Sequence, residues 1–311
     1  IENCTVIGRN NDAFDGDQYC AIVIYDVGNV TIRNNTLYGF GVEDNLTGLG
    51  DADENATAIT AYYRCENVLI ENNDIYQCGA GMYLKGIRHA SGVPDYTTGP
   101  CTVRYNKVYN CKRGIKQYLA NFDSASPLMV YQNIVYDCPF AGIESFRLGG
   151  TTETETKHVK FVNNTIYNCG TSSGEGKLIA ASKYLDNQYI EFHNNLCVGN
   201  TADTAVVVFD TTLGTNADIF ERNVWAGFTD FAITFPDTIN FASWQALGAD
   251  PNGNTPAPTF VNAGSRDLHL SNNGQDALTR GRVVFGIGGT NGDTIPVGAY
   301  ITGSENIGRT T

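Results

Sequence analysis

Ile32-Arg33-Asn34-Asn35-Thr36-Leu37-Tyr38 is the stretch that decides the fold, because it recurs along the chain with Asn at its centre. The second Asn of this motif falls at positions 35, 73, 106, 133, 164, 195 and 223. The steps between these positions are 38, 33, 27, 31, 31 and 28 residues. A period near thirty residues with variable length indicates one supersecondary unit per repeat, with insertions confined to loops.

The residues around the Asn predict strands. Apolar side chains recur three residues before it, at Ile32, Ile70, Val103, Val130, Phe161, Phe192 and Phe220. The alternation before the turn has period two, which is typical of a strand rather than a helix. Asn readily takes left-handed backbone angles, and stacked Asn side chains hydrogen-bond along a parallel ladder. The sequence therefore predicts an all-β fold, a right-handed parallel β-helix of about eight coils.

A second strand precedes each Asn-bearing strand, and it predicts an outward face. If Ile22, Ile59, Met82, Ile115 and Ile143 point inward, period two sends two neighbouring columns outward. One column consists of Val23, Thr60, Tyr83, Lys116 and Glu144. The other consists of Tyr25, Tyr62, Lys85, Tyr118 and Phe146. Long loops flank this face, which is how a rigid solenoid builds a groove.

The charge distribution indicates the kind of ligand. The net charge of −13 argues against nucleic acid, because phosphate contacts need a basic face. Residues 81–147 nevertheless hold eight basic and four acidic side chains. This basic middle segment, called the waist below, would attract an anionic ligand. Chance scatter of surface charge is the alternative. No run of eighteen apolar residues occurs, so we expect no membrane insertion.

The nine cysteines include a column five residues after the turn Asn, namely Cys78, Cys111, Cys138 and Cys169. Neighbouring rungs of a parallel sheet lie about 4.8 Å apart, which is within reach of a disulfide. The alternative interpretation is a ladder of small buried thiols that pack as apolar groups.

The repeat decays after Asn223, which divides the chain into a β-helix over residues 1–235 and a C-terminal cap over 236–311. The cap is expected to pack on the last coils, with a short helix at 241–248 and strands at 259–262, 267–270 and 297–300. Because Ile1 begins within a repeat, we expect an N-terminal cap and any signal to lie upstream of it.

These repeats resemble those of the pectate-lyase-like right-handed parallel β-helix proteins of secreted bacterial and phage type, and the 236–311 tail is similar to their closing module. The resemblance implies a polysaccharide ligand on the outward face of the first strand, and an extracellular, cell-surface or virion-surface location. The chain lacks the paired-Asp and Gly-His-Gly signatures of polygalacturonases and the Arg-x-Pro-x-x-Arg signature of one pectate lyase group.

The leading chemical hypothesis is β-elimination on an anionic polysaccharide, which needs a base and a cation for the enolate charge. Lys116 is the candidate base, and crowded cations would lower its pKa. The accompanying catalytic candidates are Lys85, Arg88, Arg147 and Glu144. The candidate sugar-binding side chains are Tyr25, Tyr62, Tyr83, Tyr118, Phe146 and His89. The alternative for Lys116 is an ion pair with Glu144 across neighbouring rungs.

Other chemistries remain open. Glycoside hydrolysis needs two carboxylates, for which Glu144 and Asp123 are the central candidates. No cofactor is required, but Asp51, Asp53 and Asn55 could hold Ca²⁺, with a solvated acidic loop as the alternative. The rival class of function is a non-catalytic adhesin, carbohydrate-binding module or structural part of a surface fibre or phage tail. The sequence therefore leaves open whether the protein is an enzyme.

Overall fold

The structure is a computed structural model of the chain. It describes residues 1–8, 19–41, 56–62, 65–85, 101–118, 127–146, 157–171, 177–182, 188–199, 204–208, 219–228, 230–234, 237–271, 276–287, 289–290, 293–300 and 307–308.

Short strands make up most of the described chain. In chain order they are β1 (Thr5–Ile7), β2 (Cys20–Tyr25), β3 (Gly28–Arg33), β4 (Thr36–Phe40), β5 (Thr57–Tyr62), β6 (Glu66–Glu71), β7 (Asp74–Cys78), β8 (Ala80–Lys85), β9 (Cys101–Arg104), β10 (Lys107–Tyr109), β11 (Arg113–Tyr118), β12 (Leu128–Tyr131), β13 (Ile134–Tyr136), β14 (Ala141–Phe146), β15 (Lys157–Val162), β16 (Thr165–Tyr167), β17 (Lys177–Ser182), β18 (Gln188–His193), β19 (Leu196–Val198), β20 (Thr204–Val208), β21 (Ile219–Glu221), β22 (Val224–Ala226), β23 (Asp230–Thr234), β24 (Asp237–Ile239), β25 (Phe260–Asn262), β26 (Asp267–Leu270), β27 (Gly281–Arg282) and β28 (Thr294–Ile295). The helices are α1 (Phe241–Ala246) and two 3₁₀ turns, Ala263–Ser265 and Asp276–Leu278.

Three long sheets wrap the chain into a rod. Sheet A has the order β3-β6-β9-β12-β15-β18-β21, sheet B the order β1-β4-β7-β10-β13-β16-β19-β22, and sheet C the order β2-β5-β8-β11-β14-β17-β20-β23-β24. Each coil passes through a strand of sheet C, then of sheet A, then of sheet B, and pairs in parallel with the coils on either side. This arrangement confirms the predicted parallel β-helix.

The second Asn of each pair forms a continuous ladder inside the rod. Asn35 Nδ2 donates to Asn73 Oδ1, and Asn73 Nδ2 donates to Asn106 Oδ1, both at 2.9 Å. The same bond, at 3.0 Å, links Asn106, Asn133, Asn164, Asn195 and Asn223 in turn. Each Oδ1 also accepts the backbone N–H of the preceding member, so the ladder satisfies polar groups at the buried corner.

The first residue of each pair makes the sharp bend. Its φ lies between 51° and 59°, and the set consists of Asn34, Asn72, Tyr105, Gln132, Asn163, Asn194 and Arg222. This left-handed conformation suits Asn and costs more for a larger side chain. The first position of the motif therefore bends the backbone, and the second links neighbouring coils through its side chain.

The interior is filled by stacked columns of like side chains. Phe161, Phe192 and Phe220 stack with ring centroids 4.8 and 5.0 Å apart. The nine cysteines are free, and the column of Cys78, Cys111, Cys138 and Cys169 is buried. Burial raises the pKa of the Cys111, Cys138 and Cys169 thiols. This column is therefore the ladder of small thiols, not a disulfide framework.

A tyrosine ladder covers the outside of sheet B. Tyr38, Tyr76, Tyr109 and Tyr136 stack with centroid distances of 4.7, 5.0 and 4.8 Å. Burial is the main cause that raises the pKa of Tyr76, Tyr109 and Tyr136. The rings of this ladder therefore stack on one another along four consecutive coils.

Residues 237–254 close the C-terminal end of the rod. β24 pairs antiparallel with β23, and Asn240 caps α1 through a bond from Ser243 N to its Oδ1. Trp244 of α1 is fully buried against Phe220 and Phe231. The expected short helix is therefore present, and its indole seals the open end of the stacked phenylalanine column.

The remaining tail runs back along the corner of the Asn pairs. Gln132 Nε2 donates to Ala299 O, Gly298 N donates to Asn194 O, and Gly308 N donates to Tyr105 O. The tail thus extends well beyond the last coils. The predicted strand at 297–300 is wrong, since residues 297–299 form bends. Gly298 N and Ala299 N bond Asn194 O and Thr165 Oγ1 of the rod, whereas Val297 N bonds Ala277 O of the tail. The strands expected at 259–262 and 267–270 are present as the antiparallel pair β25 and β26.

Candidate functional site

The outer wall of sheet C brings several of the predicted site residues into register. Lys116 lies beside Tyr83 on one neighbouring strand and beside Glu144 on the other. The second column runs in the same way through Tyr25, Tyr62, Lys85, Tyr118 and Phe146. Residues about thirty apart in the sequence are therefore neighbours on one wall.

A carboxylate lies at the centre of the charged part of this wall. Glu144 Oε1 is 3.0 Å from Arg113 Nε, and Glu144 Oε2 is 4.0 Å from Lys116 Nζ. The ammonium of Lys116 lies 4.8 Å from the ring centre of Tyr83, and the Arg113 guanidinium lies 3.9 Å from that of Phe140. Two cations on β11 thus hold one carboxylate on β14, and each cation also stacks on an aromatic ring.

Arg113 was not among the residues predicted for the site. Strict alternation from Ile115 would turn Arg113 inward, yet its guanidinium bonds the outward-facing Glu144. The reason is Gly114, which faces the interior next to Ile115. A Cβ there would lie 2.4 Å from Val135 Cγ1 and 2.3 Å from the carbonyl oxygen of Gly142. The recurrence of Gly81, Gly114 and Gly142 directly before the inward residue was the available signal for this break in the alternation.

The wall differs sharply in exposure along its length. Tyr25 is 60% exposed and Tyr62 is half-buried, with ring centroids 6.4 Å apart. Lys116 is only 6% exposed and Glu144 only 2%. The Lys116–Glu144 ion pair is therefore buried, so its energetics follow the rule for desolvated charges, where removing one partner is costly.

Several predicted site residues cannot be placed. Arg88, His89, Arg147, Asp51, Asp53, Asn55 and Asp123 lie outside the described residues, and only the backbone of Lys85 and Phe146 is described. Within the described ranges, no group of three His, Cys, Asp or Glu side chains has the arrangement of a metal site. The searched part of the chain also holds no helix with the length and apolar character needed to cross a bilayer.

Comparison with known proteins identifies the family. No curated protein and no solved structure gives a significant match to the chain. A family model described as the right-handed beta helix region matches residues 1–230. This span covers the asparagine ladder and nearly all of the three parallel sheets. The chain belongs to the right-handed β-helix family.

Proposed function

We propose that the protein binds a polysaccharide along the outer wall of sheet C, outside the cell or on a cell or virion surface. The observation that carries the proposal is the pair of Tyr25 and Tyr62, which are successive, solvent-facing rings on adjacent coils. Flat amphipathic rings bind sugars through their apolar faces while the hydroxyl stays in water. Tyr118 extends the same column toward the charged cluster.

An anionic polysaccharide is the preferred class. The waist of residues 81–147 is basic within an acidic chain, and such a field steers an anionic ligand to this part of the rod. Arg113 and Lys116 contribute two of these charges to the wall, although Glu144 offsets part of their field. Ca²⁺ bound by the acidic insert of Asp51, Asp53 and Asn55 would offset further negative charge of such a ligand.

Cleavage by β-elimination is the finer part of the proposal. Lys116 would take the proton from C5 beside the uronate carboxylate, the C4–O4 bond would break and a C4=C5 double bond would form. O4 would leave with the other fragment and take up a proton to become the hydroxyl of its new reducing end. Lys85, Arg88 and Arg147 would hold the enolate charge. Because Lys116 is paired with Glu144 and buried, the substrate has to displace this carboxylate before the amine can act.

The same burial favours a second candidate function. A lysine and a glutamate that are closed off from solvent can serve as a structural brace for the wall. In that case the protein is a non-catalytic adhesin, a carbohydrate-binding module or part of a surface fibre. The fold alone does not separate these classes, because one fold hosts many functions.

Incubation with alginate, pectate and glycosaminoglycans, followed by ultraviolet absorbance of unsaturated ends, tests cleavage. Retention on the same glycans in immobilised form tests binding. We expect Tyr62→Ala and Tyr25→Ala to weaken retention by about tenfold, at the lower end of the roughly 1–3 kcal/mol that an aromatic ring contributes when it stacks on a nucleobase. Tyr38→Ala, on the sheet B ladder, is the matched control and should retain the glycan.

The outcomes separate the two classes. Absorbance that disappears in Lys116→Ala and persists in Glu144→Gln supports the eliminase, and Lys107→Ala on sheet B controls for a lost positive charge. Retention without absorbance supports the binding module. Retention that is unchanged in both tyrosine variants would refute the proposed wall.

A further inference from the structure

The outer wall of sheet A carries a second cluster of ionisable side chains, contributed by neighbouring coils. Glu191 of β18 bonds Lys160 of β15 through Oε1 at 3.2 Å, and its Oε2 lies 3.0 Å from His193 Nε2. Glu191 and His193 are buried. The proposed function uses none of these residues, because sheet C forms a different wall of the rod.

His193 has one ring nitrogen to spare. Glu191 accepts a hydrogen bond from Nε2–H, because a carboxylate oxygen can only accept, and the second ring nitrogen, Nδ1, needs a partner of its own. Nδ1 is buried and has no hydrogen-bond partner in the described part of the chain. A buried polar atom without a hydrogen-bond partner costs about 1–3 kcal/mol, so such an atom calls for an explanation.

Phe285, from the tail, covers this cluster in a strained turn. Its φ is 55°, that of Gly286 is 73°, and Ile287 N closes the turn on Val284 O at 3.1 Å. Turns with two positive φ values ordinarily use Asn-Gly, and a bulky residue at the first position is a conformational outlier.

The ring of Phe285 lies where it contacts the charged groups. Its centroid is 3.8 Å from Lys160 Nζ and 5.4 Å from the His193 ring, and the residue is 43% exposed. Phe285 is thus an apolar side chain in a strained turn, partly exposed to solvent and in contact with a cation. Because its bound position is strained, a ligand can displace the ring from the cluster.

We propose that Lys160, Glu191 and His193 form a second ligand site, for a single uronate sugar, with Phe285 as its displaceable cover. Lys160 pairs with the sugar carboxylate, and His193 Nδ1 forms a hydrogen bond with a ring hydroxyl, which can act as donor or acceptor. Glu191 keeps both groups in place. The site shares only the ligand class with the proposed function and would exist whether or not sheet C binds a polysaccharide.

Imidazole NMR with sodium D-glucuronate as the probe tests the site. The His193 signals, assigned by their loss in His193→Gln, are expected to shift saturably as glucuronate is added. His269 is the matched control, because it also packs against an aromatic ring of the tail but already bonds Asp267 through Nδ1. Its signals should stay in place.

Two variants sharpen the test. Phe285→Gly removes the cover and also the backbone strain, so the fold is kept. It should tighten glucuronate binding by about threefold to tenfold, because the Phe285 ring no longer competes with the sugar for the site. Lys160→Met should weaken glucuronate binding by about tenfold, on the scale of a charge-assisted hydrogen bond.

The remaining outcomes decide against the proposal. No His193 shift in either the wild type or Phe285→Gly would mean that a buried water alone satisfies Nδ1. Equal shifts with D-glucose would overturn the carboxylate part. Tyr62→Ala should leave the His193 response unchanged, so failure of this site and failure of the sheet C wall are told apart.

Discussion

Asp250 ends the row of stacked asparagines with a carboxylate in place of an amide. Its Oδ2 accepts hydrogen bonds from Asn223 Nδ2 at 3.0 Å and from Trp225 Nε1 at 2.7 Å. The other oxygen, Oδ1, is buried and has no hydrogen-bond partner among the described residues. Burial raises the pKa of Asp250 to about 6, although the bonds from Trp225 and Asn223 oppose the shift. The last ladder position is therefore a titrating group.

Asp250→Asn should remove a pH-dependent part of the stability. A carboxyl whose pKa is higher in the folded state contributes stability that is complete below its unfolded value, near 3.8, and is lost as the pH rises through about 6. The wild type should lose on the order of 3 kcal/mol of unfolding free energy between pH 4 and 7 from this group. Urea titrations across this range should show a flatter profile for the variant. Parallel profiles would contradict the assignment.

At the scale of the element, each ladder asparagine satisfies buried groups on three coils. Asn133 Nδ2 donates to Val103 O, Tyr131 O and Asn164 Oδ1, while its Oδ1 accepts from Asn106. Asn133 is fully buried, so these bonds are made in a medium of low dielectric constant and connect each coil with both of its neighbours.

Asn133→Ala should therefore destabilise the rod by about 2–4 kcal/mol, because it leaves buried donors and acceptors without partners. Urea unfolding followed by the fluorescence of the buried Trp225 and Trp244 measures the cost. Asn252→Ala, which removes a single exposed bond to Glu221, is the control and should cost under about 1 kcal/mol. Equal costs would show that the ladder is not the source of the stability.

The elements also show how far the sequence alone could go. The Asn spacing was enough to predict the coils. The recurring inward residues Met82, Ile115 and Ile143 were enough to predict the register that places Lys116 beside Tyr83 and Glu144. The burial of these residues could not be predicted, since alternation assigns a face and says nothing about what packs on it. The outward position of Arg113 could not be predicted either, because Gly114 interrupts the alternation.

At the scale of the whole molecule, the tail is held on the rod by side-chain hydrogen bonds and an ion pair that do not follow the repeat. Asn163 Nδ2 donates to Pro296 O and Gly298 O, and Arg266 pairs with Asp137. The partners are more than a hundred residues apart, so the path of the tail could not be predicted from the repeat. Gly298 has a φ of 98°, and a Cβ there would lie 2.7 Å from Thr165 Oγ1.

Gly298→Val should loosen the tail and leave the rod folded. The positive φ and the clash together cost about 1–3 kcal/mol, which is enough to release the local tail contacts. Hydrogen exchange should become faster at Gly298, Ala299 and Gly308, while the ladder amides of Asn106 and Asn133 remain protected. Gly264→Ala is the control, because a Cβ at that position meets only Asn262 Oδ1 at 3.5 Å. Faster exchange throughout the ladder would show that tail and rod unfold together.

The column of buried thiols makes local opening of the rod detectable by chemical labelling. Cys78, Cys111, Cys138 and Cys169 occupy one depth on four consecutive turns, whereas Cys4 faces solvent. A thiol-reactive reagent reaches each sulfur only while the surrounding coil is locally unfolded. The order in which the four thiols are labelled therefore shows which coil opens first. The four coils that carry these thiols thus report their own local opening without any engineered label.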